Sequence, residues 1–248
     1  GIGTIGEPNE YDLSFALGGG PVRLFDLTTA FAAFANGGFR MTPQLILDVV
    51  DTVGDVVYQG ESAAPVRVMD ERVAWLISDI LSDDDARVLS FGQDSILNIG
   101  RTAAVKTGTT NDFHDNWTVG YTPDVVVGVW VGNANNTPMF NVTGVSGAGP
   151  IWHMFMRSVL SGIPEKPFNQ PEGLTRAEVC TLSGMLPSSN CPFRRLEWFI
   201  AGTEPEAIDT FYQLVGIDKE TSLLATETTP AAQVVQQYVL DLPADLQP

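Results

Sequence analysis

Residues 101–136, RTAAVKTGTTNDFHDNWTVGYTPDVVVGVWVGNANN, constrain this chain more than any other stretch. They predict three successive β-strands, over 102–109, 116–121 and 125–131, the last two joined by a turn at Thr122-Pro123-Asp124. Residues 125–131 are almost continuously apolar, as in a strand covered on both faces, so the sheet expects helices on each side. Helical patterns flank it. Leu24, Leu27, Phe31 and Phe34 share one face of a helix over 22–36 that Asn36-Gly37-Gly38 ends. Asp70 N-caps a second helix, expected to bury Val73, Leu76, Ile77, Ile80 and Leu81. A third opens at Pro150-Ile151-Trp152 and should lay Ile151, Met154, Phe155 and Val159 on the sheet. Residues 44–58 read as two more strands turning near Gly54-Asp55.

Lys106 stands apart within this frame. It is one of three lysines, with Lys166 and Lys219, and it sits inside an apolar strand with no other charge between Ala103 and Asn111. Alternation puts Thr107 and Thr109 on one side of the strand, their hydroxyls about 7 Å apart. Gly108 between them removes a side chain where another backbone needs to come close. An edge strand of this kind takes an extended peptide as an additional strand, and a lysine there holds a carboxylate or passes a proton. The plainer reading is a threonine-rich edge strand with a protective lysine.

The remaining features narrow the function by exclusion. A formal net charge of −17 repels nucleic acid and anionic lipid. No run of 18 apolar residues spans a membrane. Leu17-Gly18-Gly19-Gly20-Pro21 is a turn rather than a phosphate-cradling loop, which requires another glycine pattern. Ser82-Asp83-Asp84-Asp85 lacks the alternating oxygen ligands of a calcium loop and reads as a solvated acidic cap. Residues 144–149 miss the nucleophile elbow, which needs glycine where Ala148 stands. No metal site or cofactor is expected. Cys180 and Cys191 suit a disulfide in an oxidising compartment, with two free thiols or half a zinc site as alternatives. Three prolines make 163–173 a linker, so the expected domains are 1–163 and a small accessory segment, 164–248.

Lys-Thr-Gly is among the signatures of penicillin-binding proteins and class A β-lactamases. The longer string KTGTTNDFHDNWTVGYTPDVVVGVWVGN resembles the third-to-fifth strand region of class A penicillin-binding proteins. LGGGPVRLFDLTTAFAAFANGG, DDDARVLSFG and SGAGPIWHMFM are similar to other segments of that transpeptidase domain, and VCTLSGMLPSSNCP with EWFIAGTEP to the segment that follows it in the 1C type. The resemblance implies an α/β fold of the α+β type, part of the penicillin-recognising, β-lactamase-like architecture: helices on both faces of a five-stranded antiparallel sheet. It further implies a serine that attacks the D-Ala-D-Ala bond of peptidoglycan stem peptides, with β-lactams as inhibitors of the same serine. Lys106 would support the proton relay and the positive field. Thr107, Gly108 and Thr109 would bind the substrate, and the Thr109 backbone N–H would be half of the oxyanion hole. Trp117, Asp115 and His114 would be structural support. The implied place is the outer side of a bacterial cytoplasmic membrane, in an anchored, bifunctional parent protein.

The family also needs Ser-x-x-Lys and then Ser-x-Asn ahead of the lysine strand. No serine here has lysine three positions on, and the one Ser-x-Asn, Ser188-Ser189-Asn190, lies after the strand in the cysteine loop. The expectation is therefore the C-terminal portion of a transpeptidase domain plus its tail, with the serine-bearing part, two strands and any glycosyltransferase domain upstream. Two other readings compete: a secreted β-lactamase-like hydrolase, and a non-catalytic extracellular peptide-binding module.

Overall fold

A computed structural model describes residues 2–7 and 11–243. They form two compact units, Gly1–Pro171 and Glu172–Pro248. None of the described helices is long and apolar enough to cross a membrane.

The first unit begins with a 3-10 turn at Leu13–Leu17 and helix α1, Leu24–Ala35. Four short strands follow: β1 (Phe39–Arg40), β2 (Asp48–Val50), β3 (Val56–Gln59) and β4 (Val66–Arg67). They pair as β1–β4 and β2–β3. Asp70 caps α2 (Glu71–Ser82), its side chain accepting from Arg72 N. Hydrogen bonds from the Arg72 guanidinium, and after them the one from Arg72 N, hold its carboxyl well below the usual carboxylate range. The acidic run then does more than end α2. Asp83 is the N-cap of a helix the sequence reading missed, α3 (Asp84–Phe91), accepting from Ala86 N.

The centre of the unit is an antiparallel sheet of β5 (Ala104–Thr109), β6 (Asp115–Tyr121) and β7 (Val126–Gly132), in that order. Each strand lies within two residues of its expected limits. The described residues contribute three strands to this sheet. α4 (Ala148–Val159) covers one face and α1 the other, and two glycines show how closely. A Cβ on Gly120 would stand 2.4 Å from the Trp152 ring of α4, and one on Gly128 2.0 Å from Thr28 Oγ1 of α1. Val105, Trp152, Met156 and Leu160 form the core on the α4 side, with Val125, Val127 and Val129 packed against them.

Two helix faces differ from expectation. On α4 the buried stripe is Trp152, Met156 and Leu160, whereas Ile151, Met154, Phe155 and Val159 are exposed. The helix also starts two residues before Pro150, which still falls in the first turn where its missing N–H costs nothing. On α2 the buried residues are the small Ala74 and Ser78, while Val73 and Ile80 face outward. Small side chains let α2 approach the sheet closely enough for Ser78 Oγ to reach the buried Tyr121 hydroxyl at 3.0 Å.

Residues 164–171, expected to begin the second domain, belong to the first unit. Thr102 N donates to Glu165 Oε1 at 2.8 Å, and Arg101 to the Ile163 carbonyl at 2.9 Å. Lys166 pairs with Asp124, and the Phe168 ring meets Tyr121 edge-on at 5.5 Å.

The second unit consists of two antiparallel hairpins, β8 (Leu174–Cys180) with β9 (Arg194–Ile200) and β10 (Tyr212–Asp218) with β11 (Val234–Leu240). A parallel bridge between Leu186 and Ile208 links them. Cys180 and Cys191 are joined in a disulfide with Cα atoms 6.0 Å apart. The two sulfurs and a carboxylate oxygen of buried Asp209 lie within 4.8 Å of one another. Sulfurs bonded to each other leave no thiolate for a metal there.

Candidate functional site

β5 is fixed at one end and open at the other. Ala103, Ala104 and Val105 are buried, which anchors the start of the strand in the core, and Lys106 then emerges into solvent. β6 pairs along one edge of β5; among the described residues no strand pairs along the other. The site is thus an open rim. A cavity of about 260 Å³ lies elsewhere, between the end of α1, α2 and the 168–171 segment, lined by Phe34, Trp75, Ser78 and Phe168.

The register sorts the candidate residues by face. Lys106 stands opposite Val119, and Gly108 opposite Trp117, on the α1 side. Thr107 stands opposite Thr118, and Thr109 opposite Asn116, on the α4 side. A ligand lying along the rim therefore meets the ammonium from one side and the hydroxyls from the other. Lys106 Nζ donates to the Thr107 carbonyl, so the charge is held over the strand itself. A Cβ on Gly108 would meet only Trp117 Cβ, at 3.6 Å, so the strand is not crowded there.

The end of the β5–β6 hairpin is braced by its own side chains. Asp115 N donates to Thr110 Oγ1 at 2.7 Å, and Trp130 Nε1 to Asp115 Oδ1 at 2.8 Å. His114 Nδ1 lies 2.7 Å from the Asn136 carbonyl, which only accepts, so that nitrogen carries the proton. With Trp117 facing Gly108 across the strands, these residues hold the turn.

Three residues on the α4 side escaped the sequence reading. Asn116 and Thr118 are fully buried. Asn116 Nδ2 donates to the Val142 carbonyl at 2.6 Å, and Thr118 Oγ1 to the Gly144 carbonyl at 2.9 Å. Gly144 N in turn donates to Thr109 Oγ1 at 2.9 Å. The signal in the sequence was slight: two uncharged polar residues at alternate positions of an otherwise apolar strand. Ser188-Ser189-Asn190 lies in the other unit, within the disulfide loop, where Arg194 binds the Ser188 carbonyl at 2.8 Å.

A family model described as the penicillin-binding protein transpeptidase domain matches residues 7–156, and one described as the penicillin-binding protein 1A C-terminal domain matches 170–214. Penicillin-binding protein 2D of Bacillus subtilis is 32% identical over 77% of the chain, and penicillin-binding protein 1C of Escherichia coli 30% identical over 79%. The chain covers 28% and 24% of those two proteins, about a quarter of the curated relatives' length. Among solved structures, penicillin-binding protein 1A from Haemophilus influenzae superposes with a TM-score of 0.64 at 25% identity, over 82% of this chain and 36% of that one. The penicillin-binding protein PonA1 from Mycobacterium tuberculosis superposes with 0.57 at 27% identity, over 64% and 44%, and has also been solved in complex with penicillin V.

Proposed function

Because the chain belongs to the penicillin-binding protein transpeptidase family, we propose that it supplies the substrate-carboxylate edge of a peptidoglycan D,D-transpeptidase. The first unit is then the C-terminal portion of the catalytic domain and the second an accessory module. The parent protein works outside the cytoplasmic membrane, and β-lactams inhibit it. The observation that carries this reading is the geometry of β5: a rim that no strand among the described residues pairs, bearing an exposed ammonium on one face and two hydroxyls on the other.

In this reading a stem peptide lies along β5 as an added strand. Thr107 and Thr109 donate to its terminal carboxylate, and Lys106 supplies positive field in a chain of net charge −17. A serine attacks the D-Ala-D-Ala carbonyl and the Thr109 N–H stabilises the resulting oxyanion, worth about 3 kcal/mol of barrier in comparable sites. D-Alanine leaves with the proton taken from the serine, and the acyl group passes from serine to an amine on a neighbouring strand. The nucleophile and its base come from outside this sequence, which contains no Ser-x-x-Lys. The intact protein should therefore be labelled covalently by a fluorescent penicillin, and this chain alone should not. Labelling of a serine in the chain alone overturns the assignment. An intact protein that takes no label favours a non-catalytic peptide-binding module.

A further inference from the structure

The loop at 142–147 is fastened to the candidate site by hydrogen bonds that the roles above leave unexplained. Its two anchors, Asn116 and Thr118, are fully buried directly across from Thr109 and Thr107. They hold the Val142 and Gly144 carbonyls and so aim the Gly144 N–H at Thr109 Oγ1. The fit has no slack. A Cβ on Gly144 would lie 2.6 Å from the Gly108 carbonyl oxygen and 2.7 Å from that of Trp117. One on Gly147 would lie 2.3 Å from Asn116 Oδ1. On its solvent side the loop is closed by Thr143 N donating to Ser146 Oγ at 2.9 Å.

We infer that this loop sets the direction of the Thr109 hydroxyl, and that Thr118 and Gly144 are positioning residues for carboxylate recognition. The inference rests on the transpeptidase reading for the identity of the ligand. A hydroxyl has one proton and two lone pairs. With a lone pair of Thr109 committed to the Gly144 N–H, its proton is presented to the rim, ready to donate to an anionic oxygen. The bond that forms is charge-assisted, and it loses most of its advantage when the ligand carries an ester in place of the carboxylate. Thr118 never touches the ligand. It acts through the Gly144 peptide.

The test compares two probes on the intact protein: a fluorescent penicillin with its free carboxylate, and the methyl ester of the same compound. Thr118→Val should slow acylation by the free acid about tenfold. It should leave the ester within about twofold, and Thr118→Ser should restore the free-acid rate to within about twofold. In a Thr109→Val background, Thr118→Val should cause no further loss. Should Thr118→Val fail to fold, Ser146→Ala loosens the same loop from its exposed side and should show the same preference for harming the free acid. Equal slowing on both probes, additive loss in the Thr109→Val background, or unaltered free-acid rates overturns the inference and leaves the transpeptidase reading standing. An unaltered protein that reacts with neither probe overturns both.

Discussion

Lys106 is the residue on which the proposed chemistry depends most. Its ammonium sits in solvent on a strand whose outer edge no described strand pairs, and other positive charge is sparse, with 13 lysines and arginines against 30 acidic residues. Removing it should cost as much as losing a major transition-state contact. Lys106→Ala in the intact protein is expected to slow acylation by at least about a hundredfold. A loss under about threefold would show that the ammonium is protective decoration. Tyr121 offers a second residue-level test, of the fold. Burial pushes its phenol up to about 12, partly opposed by the hydrogen bond with Ser78. In the unfolded chain the phenol ionises near its ordinary value of about 10. The folded form favours the neutral phenol, so this contribution is complete below pH 10 and drains away as pH rises from 10 to 12. Melting temperatures should fall over that window, and Tyr121→Phe should flatten the fall; an unchanged slope would mean the buried phenol is not its source.

At the scale of elements, two glycines let the helices close on the sheet, and they differ in how much relief is available. Gly120→Ala would press a methyl group against both the Trp152 ring and the Ala104 carbonyl, neither of which has room to move. Urea unfolding should show a loss of about 2 kcal/mol. Gly128→Ala chiefly meets the Thr28 side chain, so Thr28→Ala in the same protein should recover most of its cost. The elements themselves were largely legible, because alternation and caps are local signals: the three strands, the Asp70 cap and the turn near Gly54 are all present. What stayed hidden was which side of an element faces inward. α4 is apolar on two sides, and spacing alone cannot choose between Trp152-Met156-Leu160 and the stripe that lies exposed. α2 buries Ala74 and Ser78, which no hydrophobicity pattern singles out, since their value lies in being small. α3 was masked because Asp83, which starts it, also reads as the end of α2. In the site, Lys106 and the threonines were visible as departures from an apolar strand. The Asn116–Thr118–Gly144 linkage depends on a loop more than twenty residues downstream, and no local pattern reports that.

For the whole molecule, the outward face of α4 joins many other exposed apolar side chains, among them Leu13, Leu17, Leu45, Leu89 and Phe140, each about nine-tenths exposed. Surface of that kind seeks cover. The chain by itself should self-associate in light scattering at micromolar concentration, and a monodisperse monomer that melts cooperatively would contradict this. In the second unit the disulfide closes a loop of sequence separation 11, for which chain entropy gives a stabilisation of about 3 kcal/mol. Replacing both cysteines by serine should lower its unfolding free energy by about that amount, followed through Trp198, the one tryptophan beyond Pro171. The ties made by 163–171 bear on where this polypeptide tolerates a break. A protease or a gene fusion that severs it at 163 strips Tyr121 of a ring neighbour and leaves Asp124 without its lysine, a wound in the very sheet that carries Lys106 and on the same face of it. Severed after Pro171, the same chain keeps every one of those ligatures.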